Sequence, residues 1–104
     1  MKRMLDYLYG NYDKKITLND VCARAGIEKN KCTELFRRYT NMSPMDYLRN
    51  YRVEKGVELL RETDLSVTEI AYEVGMSGAS YFAESLRKYR GCSPLQTRKD
   101  TKNE

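Results

Sequence analysis

Residues 17–26 read Thr-Leu-Asn-Asp-Val-Cys-Ala-Arg-Ala-Gly, and residues 66–75 read Ser-Val-Thr-Glu-Ile-Ala-Tyr-Glu-Val-Gly. The two stretches match at the hydroxyl, the acid, the aliphatic positions and the closing glycine, and such internal repetition decides an architecture before any other feature. After the glycine the second copy gains one residue. Beyond that insertion Glu34-Leu35-Phe36-Arg37-Arg38-Tyr39 matches Glu84-Ser85-Leu86-Arg87-Lys88-Tyr89, and Met42-Ser43-Pro44-Met45 matches Cys92-Ser93-Pro94-Leu95. One structural unit is used twice.

Each copy carries two helix starts. Thr17 with Asp20, and Ser66 with Glu69, stand as N-cap and N3 partners that can satisfy otherwise orphan amides. Ser43-Pro44 and Ser93-Pro94 put a capping hydroxyl ahead of a proline whose missing N–H costs nothing at the first helical position. Gly26 and Gly75 follow helices of about eight residues and suit a left-handed C-terminal turn. The pattern predicts helix, tight turn, helix, twice over.

Cys32, Leu35, Phe36 and Tyr39 recur at i, i+3, i+4 and i+7, giving an apolar face to a helix from about Lys29 to Tyr39; Phe82, Leu86 and Tyr89 repeat it. Met4, Leu5, Leu8 and Tyr12 predict an N-terminal helix that Gly10-Asn11 weakens near its end. Ser43 to Glu62 reads as one long helix with Met45, Leu48, Tyr51, Val57 and Leu60 available for burial. Gly56 inside it costs roughly 1 kcal/mol relative to alanine unless another backbone comes close, so it is read as a packing point. The expected organisation is a first unit over about 5–42, a linker helix over 43–62, a second unit over 63–98, and a tail over 99–104 that frays for want of an apolar anchor.

The composition narrows the function. With 104 residues there is room for one small domain or two very small lobes, and none for a separate catalytic domain. The absence of histidine removes the commonest general base and the commonest metal ligand together. Cys22, Cys32 and Cys92 lack Cys-x-x-Cys spacing, and the odd number argues against a disulfide scaffold or closed zinc site. No cofactor and no enzymatic activity are expected. The apolar stretches fall far short of a membrane span and Met1-Lys2-Arg3 leads into no signal-peptide core, so a cytoplasmic protein is expected. A net charge of +4 is compatible with a polyanionic partner.

A helix-turn-helix can present its second helix to the major groove. A connecting helix of about 20 residues would be roughly 30 Å long, near the roughly 34 Å between successive major-groove faces. At 100° per residue Asn30, Thr33, Glu34 and Arg37 face away from the first apolar stripe, and Ser77, Ser80, Glu84 and Arg87 from the second. Asn and Thr can meet base edges, while Arg37, Arg38, Arg87 and Lys88 can neutralise phosphates. Glu34 and Glu84 are the awkward members, because phosphate repels a carboxylate. Helical ion pairs with Arg38 and Lys88 are favoured over cytosine readout for them. Glu28 suits the helix dipole but also disfavours a nearby phosphate.

The chain resembles the DNA-binding domain of the AraC/XylS family of bacterial transcription regulators from Leu5 to Arg98. The carrying residues include Ile16-Thr17-Leu18, Asp20-Val21, Leu35-Phe36-Arg37-Arg38, Ser43-Pro44, Tyr47-Leu48, Asp64-Leu65-Ser66-Val67, Glu69-Ile70-Ala71, Val74-Gly75-Met76, Tyr81-Phe82 and Ser93-Pro94. The resemblance implies an all-α fold of about seven helices, two helix-turn-helix units of homeodomain-like form joined by the long helix, and promoter binding that recruits or obstructs RNA polymerase. By position, Asn30, Thr33 and Glu34 match base-facing residues of the first family recognition helix, and Ser80, Tyr81 and Glu84 those of the second. The expected DNA-binding set is therefore Lys29, Asn30, Thr33, Glu34, Arg37, Arg38, Ser77, Ser80, Tyr81, Glu84, Arg87 and Lys88. Glu34 and Glu84 stand where the family often has arginine, Leu86 replaces a common phenylalanine, Cys32 a common leucine and Thr97 a common tyrosine.

The expected partner is double-stranded promoter DNA, with RNA polymerase a further partner and any effector bound by a domain outside this chain. The competing reading is a helical protein–protein interaction module of the transcription machinery without DNA specificity of its own. Single-strand binding ranks lower despite nine tyrosines, since several fall at core-facing positions and no stacking platform is evident.

Overall fold

The computed structural model describes residues 1–102. Among them are seven helices and no strand: α1 (Lys2–Asn11), α2 (Leu18–Ala25), α3 (Lys29–Thr40), α4 (Pro44–Glu62), α5 (Val67–Glu73), α6 (Ala79–Arg90) and α7 (Pro94–Lys102). The chain divides into two compact units, Met1–Arg49 and a second that begins at Asn50, so the division falls inside α4.

The helix starts follow from side-chain chemistry. Thr17 Oγ1 accepts the Asp20 N–H at 3.2 Å while an Asp20 carboxylate oxygen accepts the Thr17 N–H at 2.9 Å, a complete capping box. Ser66 Oγ accepts the Glu69 N–H at 3.1 Å. Ser43 and Ser93 likewise accept from Asp46 and Gln96, and each stands one residue before the proline that opens α4 or α7.

The turns repeat as closely as the caps. Gly26 has φ +67° and Gly75 φ +85°. In the first unit Gly26 N–H bonds Ala23 O and Ile27 N–H bonds Cys22 O; in the second Gly75 N–H bonds Tyr72 O and Met76 N–H bonds Ala71 O. These paired reverse bonds satisfy the last carbonyls of a short helix while glycine takes the left-handed geometry without a Cβ clash. A third equivalence closes α3 and α6: Asn41 (φ 61°) donates to Arg37 O, and Gly91 (φ 75°) to Arg87 O.

The first unit buries Met4, Leu8, Ile16, Val21, Cys22, Cys32, Phe36 and Leu48 as one cluster. Tyr47 meets Phe36 edge-on at 5.8 Å, and its hydroxyl lies 2.5 Å from that of Tyr9. The second unit buries Val53, Val57, Leu60, Ile70, Ala71, Val74, Met76, Phe82 and Leu86. Gly56 is the packing point its position in the sequence predicts, but the close neighbour is a side chain: a Cβ there would overlap Cε1 and Cζ of Phe82.

Three expectations need correction. Tyr39 and Tyr89 are 67% and 42% exposed, because α2 and α5 span only about two helical turns and the apolar stripes of α3 and α6 outrun them. Met45 is 37% exposed, one residue into α4. Tyr7, Tyr12 and Tyr47, by contrast, do pack partly buried against the first unit's core. The stretch expected to fray from 99 is helical through Lys102, and residues 103 and 104 lie outside the described residues. The anchor of α7 is polar rather than apolar: Arg98 donates from Nε to Leu60 O at 3.2 Å and from Nη2 to Thr63 O at 3.3 Å and Leu65 O at 2.7 Å. Its guanidinium fork thus serves carbonyls at and beyond the end of α4, which no later turn of helix could satisfy.

Gly56→Ala is a sharp test of this packing. On propensity alone the substitution would stabilise α4 by roughly 1 kcal/mol. The overlap with Phe82 instead costs typically 1–3 kcal/mol, so we expect a lower midpoint in denaturant unfolding. A midpoint that stays put or rises would show that Phe82 moves aside freely.

Candidate nucleic-acid interface

The turn at Gly26 presents α3 with one face in the core and the other to solvent. Cys32 and Phe36 are fully buried, whereas Lys29, Asn30, Glu34, Arg37 and Arg38 are exposed and Thr33 is half-buried. Asn30, Thr33, Glu34 and Arg37 therefore fall on one stripe, as their spacing requires. In the second unit Ser80, Tyr81, Glu84, Arg87 and Lys88 are exposed on α6, while Phe82, Ser85 and Leu86 are buried. Ser77 is exposed too, but it sits in the turn two residues before α6 rather than on the helix. The single inserted residue falls there: Gly26 and α3 are separated by Ile27 and Glu28, Gly75 and α6 by Met76, Ser77 and Gly78.

The two carboxylates behave differently. Glu34 pairs with Arg38 at 3.4 Å, both side chains more than half exposed, so the pair is worth a few tenths of a kcal/mol. Glu84 and Lys88 form no such bridge. Glu84 instead lines a groove of about 150 Å³ with Ala83, Arg87, Ser93 and Pro94, where α6 meets the start of α7. Arg90, the last residue of α6, is tied to Glu54 of α4 at 2.6 Å within the second unit. The cations left without an ion-pair partner on the two helices include Lys29, Arg37, Arg87 and Lys88.

Sequence reasoning passed over one exposed residue of α3. Lys31 lies on the first turn, and the register that pairs Glu34 with Glu84 pairs Lys31 with Tyr81. The repeat itself carried that signal. Lys29 and Lys31 bring two positive charges to a helix N-terminus with no acid in its first turn and no side-chain cap from Glu28. Like charge against the positive end of the helix dipole is locally unfavourable, and such departures collect at functional surfaces.

The cysteines lie away from these stripes. Cys22 and Cys32 are buried, and the Cys32 thiol donates to Met4 Sδ at 3.4 Å. Burial, reinforced by the neighbouring Cys22 thiol, pushes the Cys32 pKa up to about 12. A thiol so held is a packing group rather than a nucleophile. Among the described residues no group of His, Cys, Asp or Glu could hold a metal ion, and no helix is long and apolar enough to cross a membrane.

Comparison with known proteins agrees with this geometry. A helix-turn-helix domain model matches residues 21–100. The HTH-type transcriptional regulator YdeC of Bacillus subtilis is 33% identical over 95% of this chain, and the melibiose operon regulatory protein of Escherichia coli K12 is 32% identical over 95%. The matches cover 34% and 33% of those proteins, so the chain spans about a third of the length of the curated relatives it matches. The DNA-binding domain of AdpA, solved in complex with a target DNA, superposes with a TM-score of 0.92 over 98% of this chain and 92% of its own; at 22% identity the likeness is one of fold.

The buried thiols yield a test of the site's neighbourhood. Iodoacetamide near neutral pH should modify half-buried Cys92 first and reach Cys22 and Cys32 only on unfolding. Because the Cys32 pKa is higher folded than unfolded, its contribution to stability is intact below the unfolded thiol's pKa and is lost as pH rises from about 9 toward 12. Denaturation midpoints across that range should fall more in the natural chain than in Cys32→Ala; parallel curves would place the thiol in water.

Proposed function

The chain belongs to the AraC-type helix-turn-helix family, and on that premise we propose that it is the sequence-specific duplex-DNA-binding domain of a transcription regulator. The observation that carries the reading is the duplicated glycine turn, which leaves a polar, cation-bearing stripe exposed on α3 and again on α6. In this reading each stripe enters its own major-groove segment. Asn30 and Thr33 in the first unit and Ser80 and Tyr81 in the second face base edges; Arg37, Arg87 and Lys88 meet phosphate or, for arginine, guanine.

Glu34 serves mainly to hold Arg38. Glu84, unbridged beside Arg87, is the better candidate to accept from cytosine N4. Ser77, placed in the turn, approaches the backbone rather than a base. The same reading includes RNA polymerase as a partner of the whole regulator, a cytoplasmic location, and an effector recognised elsewhere than in these residues. The bacterial transcription regulators among its relatives support it.

Selection from a randomised duplex pool, followed by titration of the selected duplex at several salt concentrations, tests the proposal. A binding constant that falls linearly on a log–log plot, with clear preference over random duplex, is the expected result. Salt-independent binding without preference, or no co-migration with duplex on size-exclusion chromatography, would favour a protein-interaction module instead. Arg37→Ala and Arg87→Ala should each keep the fold and lower affinity, with roughly one unit off the salt slope if the contact is to phosphate. Unchanged affinity in both would reject their assignment.

A further inference from the structure

Charge is distributed unequally between two units that are otherwise copies. Residues 1–49 hold ten lysines and arginines against six acids, whereas the chain from Asn50 onward holds nine against nine. The whole net charge of +4 therefore belongs to the first unit.

The imbalance is written at equivalent places. In the register that pairs Gly26 with Gly75, Lys15 corresponds to Asp64 and Arg24 to Glu73. In the register that pairs Glu34 with Glu84, Lys29 corresponds to Ala79 and Lys31 to Tyr81. All four cations of the first unit are exposed. Arg24 sits over the ring of Tyr7 at 4.8 Å. Lys29 and Lys31 stand on the opening turn of α3, the part of a recognition helix that approaches base edges, while the opening turn of α6 offers Ala79, Ser80 and Tyr81.

We infer that the two units divide the work of binding: the first supplies most of the electrostatic hold, Lys29 and Lys31 adding to Arg37, and the second, whose phosphate contacts are confined to Arg87 and Lys88, mainly reads. This rests on the duplex-binding reading above and extends it. Sequence-independent affinity arises from counterion release by phosphate-neutralising cations, and it is this component that the first unit supplies. On arbitrary DNA the chain is then held mainly through the first unit. The second, whose opening turn is uncharged, gains its free energy where base edges fit and adds selectivity with little dependence on salt. Lys15 and Arg24 contribute to the attractive field around the first unit without needing to touch the duplex.

The test measures binding of the complete chain to random-sequence duplex between about 50 and 200 mM salt. One variant gives the first unit the second unit's residues, Lys29→Ala with Lys31→Tyr. A control, Arg87→Gln with Lys88→Gln, has the same net charge but loses it from the second unit's own exposed stripe on α6. The steepness of log K against log salt should fall by about two units in the first variant and by no more than about one in the control. The transplant Ala79→Lys with Tyr81→Lys should raise it. Melting curves confirm that each variant folds. Equal losses in the variant and the control would overturn the division of labour, since only total charge would then matter. No duplex binding by the unaltered chain would remove this inference together with the reading it rests on.

Discussion

At Gly26 and Gly75 the backbone passes through positive φ, and two reverse hydrogen bonds at each turn, one donated by the glycine and one by the residue after it, lock the exit direction of the next helix. Much of each unit depends on that constraint. A short helix of seven or eight residues has little stability of its own, and four carbonyls at its end want partners. The turn supplies some of those partners and delivers the following helix with its apolar stripe on the core and its polar stripe outside. Any L side chain at either glycine would sit in a sterically costly region whatever room surrounds it, so the position is set by the backbone rather than by packing.

Around this shared frame the units have diverged in charge. Packing needs only that the buried stripe stay apolar, and it places no demand on the outward residues. Lys29 and Lys31 can therefore become Ala79 and Tyr81 at no cost to the core. The electrostatic character of each reader is thus free to vary while the fold is kept, which is how one duplicated unit can hold two different surfaces.

Much of the frame was legible in the residues themselves. The repeat, the capping residues Thr17, Ser43, Ser66 and Ser93, and the turn glycines act through local chemistry, and the helices begin and end where that chemistry says. What escaped the sequence depends on distance in space. The stripe through Tyr39 and Tyr89 keeps the right period, but periodicity does not say how long the facing helix is. Arg98 could not be recognised as an anchor because the carbonyls it serves lie more than thirty residues earlier. Of the candidate site, the exposed stripe on α3 was readable from the helical period. The placement of Ser77 off the helix was not, because a single inserted residue shifts where the second recognition helix starts. The expected twin ion pairs were realised only at Glu34 and Arg38; Glu84 has the same spacing to Lys88 but lies in the groove at the start of α7.

Arg98 also sets a boundary on how short this polypeptide can become. Its single side chain closes three main-chain acceptors at the far end of α4 and the segment after it, so a deletion that ends before it would strip the second unit of its final clasp. A fusion partner appended after the last helix leaves that clasp intact. For anyone trimming or joining this chain, the clasp requires every residue through 98.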